Sequence, residues 1–94
     1  MRPKIYGVQP KENRLVHVFF DDGYVRVYDA NMLIQRGGIF QQLDDDIIFF
    51  ERCTVMNGTL AWDLTGQRDP EECVDICPDT IFERCPIVPQ DQIA

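Results

Sequence analysis

The stretch that decides the fold is residues 14–28, Arg14-Leu-Val-His-Val-Phe-Phe-Asp-Asp-Gly-Tyr-Val-Arg-Val-Tyr28. Two runs rich in β-branched and aromatic residues flank Asp22-Gly23. Such a pair between apolar runs is typical of a two-residue hairpin, because a type I′ turn needs positive φ at both central positions. We therefore predict an antiparallel hairpin with strands at 14–20 and 24–28.

This turn determines which side chains share a face, since a shift of one residue moves a whole strand to the other side. With Asp22 and Gly23 as the turn, opposite pairs are Phe20 with Val25 and Val18 with Val27. The face expected in the core carries Val16, Val18, Phe20, Val25 and Val27. The other face carries Leu15, His17, Phe19, Tyr24, Arg26 and Tyr28. Its aromatic rings with polar tips predict a surface that is covered by a helix of this chain or by a partner.

A second hairpin is predicted around Asn57-Gly58, with strands at 53–56 and 59–63. In this register Val55 faces Leu60 and Cys53 faces Trp62, so Trp62 is expected in the core.

Helices are predicted from capping and breaking residues. Asp29 is a plausible N-cap for a helix through residue 36 that Gly37-Gly38 ends. The acidic residues Asp44-Asp45-Asp46 favour a helix start, which predicts a turn or short helix at 38–43 and a helix at 45–51. Pro78 suits the first turn of a last helix at 78–84.

A strand at 4–10 and a polar loop at 65–72 complete the order β-β-β-α-α-β-β-α. Because strands and helices are grouped instead of alternating, the fold class predicted is α+β with antiparallel hairpins and short helices. The chain is expected to form one domain over 1–94, with an ordered core at about 3–85 and a loose tail at 86–94.

The composition excludes several classes of function. The chain has 9 basic and 16 acidic residues and a net charge of −7. Nucleic-acid binders gain affinity from Lys and Arg on phosphates, so no direct binding of nucleic acid is expected. The same charge suits a basic protein partner, because complementary potentials steer association.

No apolar run is long enough for a membrane span and no signal peptide is evident, which predicts a cytoplasmic protein without membrane contact. Its four cysteines are then expected to be thiols, not disulfides.

No residue set in the chain predicts catalysis. Cys73 and Cys77 have the spacing C-x3-C, whereas structural zinc sites usually show C-x2-C pairs, so ordinary packing is the favoured interpretation over a metal site with Cys53 and Cys85. Cys77 precedes Pro78 and could cap the last helix, where thiol pKa values fall. His17 is the single histidine, and cross-strand packing is favoured over a Cys–His pair. We predict no enzyme, no cofactor and no catalytic, cofactor-binding or metal-binding residue.

An ordered set of motifs resembles a known family. The motifs are Phe20-Asp21-Asp22-Gly23, Asp29-Ala30-Asn31-Met32-Leu33, Phe40-x-x-Leu43-Asp44, Gly58-Thr59-Leu60-Ala61-Trp62 and Asp75-Ile76-Cys77-Pro78-Asp79-Thr80-Ile81-Phe82-Glu83. In this order, over about residues 3–84, they resemble the small bacterial domain-of-unknown-function 2442 family, with Ile81-Phe82 in place of the more usual Leu-Tyr.

The resemblance implies a small α+β domain without an established activity. Some genes of this family lie beside a gene for a second small uncharacterised protein, in pairs that look like toxin–antitoxin modules. Some members carry an added helix-turn-helix domain, and these 94 residues offer no segment for one.

The first functional hypothesis is therefore a non-enzymatic protein-interaction domain, an antitoxin-like acidic partner of a small basic protein. The alternatives are a small cysteine-based metal or redox protein and a self-associating structural module that forms a homo-oligomer. The candidate partner surface comprises Phe19, Tyr24, Arg26, Tyr28, Asp75, Asp79 and Glu83.

Overall fold

The computed structural model describes residues 2–93 and contains two antiparallel three-stranded sheets. The first sheet consists of β1 (Ile5–Pro10), β2 (Leu15–Phe20) and β3 (Val25–Asp29), in that order. The second consists of β4 (Cys53–Met56), β5 (Thr59–Asp63) and β6 (Cys73–Ile76). The helices are α1 (Asn31–Arg36), α2 (Asp46–Glu51) and α3 (Pro78–Arg84). Short 3₁₀ segments lie at Glu12–Arg14, Gly38–Asp44, Pro70–Glu72 and Gln90–Gln92. The predicted α+β class is confirmed.

The first hairpin has a different register from the predicted one. His17 lies opposite Val27 and Val18 opposite Arg26, so the loop contains three residues, Asp21 to Gly23, instead of two. Gly23 has φ +88° and its N–H donates to the Phe20 carbonyl, as in a type I turn that ends in a left-handed residue. The physical reason lies just before β1, where Lys4 and Asp21 bond each other. The Asp21 N–H donates to the Lys4 carbonyl over 2.9 Å, so Asp21 does not pair with Tyr24.

The shift of one residue exchanges the faces of β3. Arg26 and Tyr28 now lie on the core face beside Val16 and Val18, and Val25 and Val27 lie on the other face. The sequence-based assignment of Arg26 and Tyr28 to the outer face was therefore wrong, whereas the assignment of the β2 residues was correct.

The second hairpin has the predicted register. Val55 pairs with Leu60 and Cys53 with Trp62. Asn57 and Gly58 have φ values of +52° and +75°, the backbone that a type I′ turn requires. The structure adds a strand that the predicted order lacks, because β6 pairs with β5 after the polar loop.

The helix ends follow the capping residues with one difference. The Asp45 side chain accepts from the N–H groups of Ile47 and Ile48 and caps α2, as predicted. The N-cap of α1 is Ala30, although Asp29 had been expected there. Asp29 Oδ1 instead accepts from the Asn31 N–H in the preceding turn.

One hydrophobic core lies between the two sheets and the helices. β1 packs against β4 and β5 of the second sheet. Trp62 is completely buried, its ring stacks on Phe49 at 5.8 Å, and its Nε1–H donates to the Phe49 carbonyl over 3.2 Å. The other buried members of this core are Ile5, Val16, Val18, Phe20, Ala30, Leu33, Leu43, Leu60, Val74 and Ile81.

The segment after α3 was expected to be loose, and the structure shows that its first part pairs with β3. The Val27 N–H donates to the Pro86 carbonyl over 3.0 Å, and the Val88 N–H donates to the Val25 carbonyl over 2.7 Å. Val88 is buried. Residues 86–88 therefore protect the free edge of β3, which would otherwise present unpaired backbone groups.

Candidate interaction surface

The residues predicted to form one partner surface do not share a face of the molecule. Phe19 is on the outer face of the first sheet, and Tyr24 is 53% exposed at the end of the first hairpin. Arg26 and Tyr28 are on the core face of the sheet. The carboxylates divide between β6, which carries Asp75, and α3, which carries Asp79 and Glu83.

Arg26 is part of the core and is not available to a partner. Only 5% of the residue is exposed, and its guanidinium carbon lies 4.7 Å from the centre of the Phe20 ring and 4.5 Å from that of Phe82. Its Nη2 is 3.2 Å from Asp22 Oδ2, whereas Nη1 is buried without a hydrogen-bond partner in the part of the chain that the structure describes. The two rings and one carboxylate thus compensate the desolvation of a buried charge.

The carboxylates of α3 are shared by one arginine. Arg2 pairs with Glu83, and its Nε lies 3.6 Å from Asp79 Oδ1. The guanidinium also covers the Phe82 ring at 5.4 Å. Both carboxylates stay at least half exposed, so this surface remains acidic after the pairing.

The acidic residues 44–46 also have partners within the chain. Arg14 Nη2 lies 2.7 Å from Asp46 Oδ1 and donates to the Asp44 carbonyl, and Asp45 caps α2. The prediction that this run serves helix capping is confirmed.

The outer face of the first sheet carries the apolar side chains of Leu15, Phe19, Val25 and Val27 together with His17, and the exposed polar residues Gln9 and Asp29 lie opposite His17 and Leu15 on the same face. An antiparallel sheet that is solvated on one side usually carries polar residues there. Here Leu15, His17, Phe19 and Val27 are half-buried, and Val25 is buried. The paired segment 86–88 and the turn Gln90–Gln92 border one side of it, around a cavity of about 320 Å³ that Leu15, His17 and Val27 also line.

Tyr6 extends this surface and was not found from the sequence. It is 68% exposed, and its ring centre lies 6.2 Å from that of Phe19. The register of β1 shifts between Ile5 and Gly7, which places Tyr6 at an irregular position of the strand. Phe19 packs over Gly7, where an added Cβ would lie 3.8 Å from Phe19. A glycine inside a strand pattern is the signal that could have indicated this irregularity.

His17 lies at the centre of the outer face. Burial, followed by the positive charge of Lys11, lowers the pKa of its imidazole below the ordinary value. Its Nδ1 is buried and has no hydrogen-bond partner within residues 2–93. The fold therefore favours the neutral ring.

This gives a testable dependence of stability on pH. Because the pKa of His17 is lower in the folded than in the unfolded chain, the unfolded chain binds more protons as the pH falls below about 6.5. The free energy of unfolding should then decrease with falling pH, by at most about 1.4 kcal/mol per pH unit for this one group. Urea unfolding at pH 7.5 and 5.5 should show a smaller decrease for His17→Gln than for the parent chain. Equal decreases in the two proteins would contradict this role of His17.

Three of the four thiols have a raised pKa. Burial raises the pKa of the Cys53 thiol to about 12. Burial also raises the pKa of Cys85, and burial together with Asp75, Asp63 and Asp69 raises that of Cys73. Cys77 is exposed at the N-cap of α3, and its side chain makes no capping hydrogen bond, contrary to the capping role considered for it. Among the residues that the structure describes, no group of three or more His, Cys, Asp or Glu side chains could hold a metal ion.

Within residues 2–93, no helix has the length and apolar character needed to cross a membrane.

The chain matches a protein family, whereas no curated protein and no solved structure matches it. The family described as "Protein of unknown function (DUF2442)" matches residues 5–86, which covers both sheets and all three helices. The chain therefore belongs to the DUF2442 family.

Proposed function

We propose that this domain is a non-enzymatic protein-binding domain, the acidic partner of a small basic protein, in the manner of an antitoxin. The observation that carries the proposal is the outer face of the first sheet, where the apolar side chains of Leu15, Phe19 and Val27 are only half-buried in the described part of the chain. Exposed apolar surface of this kind is typical of protein–protein contact.

The aromatic pair Tyr6 and Phe19 supports contact at this face. Aromatic side chains are enriched among the residues that contribute most to binding energy, since they bury a large area with little loss of conformational freedom. Tyr6 is 68% exposed in the chain alone and lies against Phe19, so a partner could cover both rings.

The distribution of charge supports a basic partner. The net charge is −7, and three of the nine basic side chains, Arg2, Arg14 and Arg26, are already in ion pairs with carboxylates of this chain. Arg2 and Arg14 each face two carboxylates, so each of these two groups of charged side chains has a net negative charge. A negative surface speeds the association with a positively charged protein and makes it sensitive to salt.

The test is the recovery of proteins bound to the tagged chain from its native cell extract at endogenous expression. The expected result is one small basic protein in equimolar amount, which is lost at high salt. Tyr6→Ser should weaken its binding about tenfold, whereas Ile47→Ser should leave it unchanged. Ile47 is a matched control, because it is 63% exposed on α2.

Two results would contradict the proposal. The first is equal binding by the Tyr6→Ser variant and the parent chain. The second is recovery of this chain alone, which would favour self-association through the same face.

A further inference from the structure

A second concave surface lies between α1 and α3, on the side of β3 away from the hairpin turn. Met32 and Arg36 of α1, Thr80 and Arg84 of α3, and Tyr28 of β3 line a cavity of about 300 Å³. We name it the arginine cleft. It shares Val27 and Pro86 with the border of the outer face, but neither Tyr6 nor Phe19, the aromatic pair on which the proposed protein-binding function relies, lines it.

The two arginines of the cleft differ from the arginines that form ion pairs. Within residues 2–93, the guanidinium groups of Arg36 and Arg84 make no hydrogen bond and no ion pair with another group of the chain. Two guanidinium groups that border one cavity without carboxylate partners are a favourable environment for an anion.

The remaining polar groups of the cleft are compatible with an anion. Burial, followed by the Cys85 thiol and opposed by Arg36, raises the pKa of the Tyr28 phenol, so its hydroxyl stays protonated and can donate. Among the described residues that line the cavity, Asp29 contributes a carboxylate, whose Oδ1 accepts from the backbone N–H and the side-chain amide of Asn31, so two arginines against one carboxylate leave an excess of positive charge.

The other walls of the cavity are apolar. Val27, Met32, Leu33 and Pro86 form them, and Met32 is 66% exposed at the surface. At about 30 Å³ for each water-sized group, the cavity has room for about ten non-hydrogen atoms. Its volume is at the lower end of that of small-molecule sites.

From these contacts we infer that the arginine cleft binds a small organic carboxylate, with its charged end between Arg36 and Arg84 and an apolar body of a few carbon atoms against Met32 and Leu33. Planar guanidinium groups hold a carboxylate through paired hydrogen bonds, which a neutral amide of the same shape cannot reproduce.

The probe for the test is phenylacetate, which has ten non-hydrogen atoms. Backbone amide signals of the ¹⁵N-labelled chain are followed during titration, and those of Met32, Thr80 and Cys85 are expected to shift together. For a ligand of this size the dissociation constant should be about 1 mM. Phenylacetamide, the neutral counterpart, should bind about tenfold more weakly, and so should inorganic phosphate, which lacks the apolar body.

The variant Arg36→Gln/Arg84→Gln should weaken phenylacetate binding about tenfold or more. Its matched control is Lys4→Gln/Lys11→Gln, which removes the same charge elsewhere and should bind like the parent chain. An arginine near a helix C-terminus also interacts with the helix dipole, and loss of that contact would lower the free energy of unfolding without changing the preference for phenylacetate over phenylacetamide.

Any of the following results would overturn the inference. They are no shift of the three signals at about 20 mM phenylacetate, equal affinity for phenylacetate and phenylacetamide, and equal weakening by the arginine and lysine double variants. Phosphate binding as tight as that of phenylacetate would equally contradict the apolar part of the site. Loss of the protein partner by Tyr6→Ser would affect none of these readouts, so this inference and the proposed function can fail separately.

Discussion

Trp62→Ala is expected to lower the free energy of unfolding by about 3–5 kcal/mol, the range observed when a large buried aromatic side chain is removed. Trp62 has no exposed surface, and it belongs to the core that joins the two sheets. A domain of this size is stable by about 5–15 kcal/mol, so one substitution would remove a large fraction of the total. Urea unfolding followed by far-ultraviolet circular dichroism measures the change.

Two contributions make up this expected loss. The first is the loss of packing: the stacked contact with Phe49 at 5.8 Å disappears, and the removed ring leaves a cavity that α2 and β5 could fill only by moving. The second is the hydrogen bond from Nε1–H to the Phe49 carbonyl, which the variant leaves without its donor.

One further variant tests the hydrogen bond, and a second serves as an exposed control. Trp62→Phe keeps most of the ring but loses the donor, and should cost about 1–2 kcal/mol. Tyr24→Ala removes an aromatic side chain that is 53% exposed, and should change the stability by about 0.5 kcal/mol or less. A loss for Trp62→Ala no larger than that for Tyr24→Ala would contradict the position of Trp62 in the core.

The second hairpin and α2 show what local sequence can predict. At Asn57-Gly58 the turn has the predicted register, and among the described residues no backbone hydrogen bond joins these two residues to a strand outside the hairpin. Asp45 likewise caps α2 through the N–H groups of Ile47 and Ile48, two and three residues away. Such contacts are local and are therefore visible in the sequence.

The first hairpin shows where this approach fails. Its turn signal, Asp22-Gly23, is equally strong, yet Asp21 bonds to Lys4, which precedes β1, and the loop takes three residues. A contact between residues so far apart in sequence cannot be seen in a turn motif, and one residue of shift was enough to bury Arg26. For the same reason the pairing of Val88 with Val25 was not predicted, since an extended tail is ordered by hydrogen bonds to a strand that is distant in sequence.

The candidate sites were predicted less well than the fold, for the same reason. The sequence indicated that Phe19 lies on an outer face, but the neighbouring Tyr6 depends on an irregularity of β1. Arg36 and Arg84 lie on helices almost fifty positions apart, and only the packing of α3 beside β3 brings them to one cavity. Charge and composition could indicate an acidic binding protein but not which groups converge.

Asp22→Ala is expected to lower the free energy of unfolding by about 1–3 kcal/mol, mainly through Arg26. Asp22 Oδ2 lies 3.2 Å from Arg26 Nη2, and Arg26 Nη1 already lacks a hydrogen-bond partner in residues 2–93. Removal of the carboxylate leaves a buried guanidinium in contact with the rings of Phe20 and Phe82 but without its ion-pair partner. Arg26 is buried whereas Asp22 is exposed, and removing the carboxylate that faces a buried charge costs more than replacing both groups.

The double variant Asp22→Ala/Arg26→Met tests this reason. Met fills much of the space between the two rings without a charge, so the double variant should be more stable than Asp22→Ala alone. A double variant that is less stable than either single variant would show that the pair is not the source of the loss.

The same pair predicts a dependence on pH. Burial of the Asp22 carboxyl raises its pKa, but the backbone N–H of Tyr24 and the hydrogen bond and charge of Arg26 outweigh that effect, so the pKa is lowered in the folded chain. A carboxyl with a lowered pKa stabilises the fold above its unfolded value of about 3.9, and this stabilisation is lost as the pH falls through the lower folded value. The difference in the free energy of unfolding between the parent chain and Asp22→Ala should therefore be constant from pH 7 to 5 and shrink below about pH 4. A difference that is unchanged at pH 3 would mean that the Asp22 side chain acts through its shape or its neutral hydrogen bonds, and not through its charge beside Arg26.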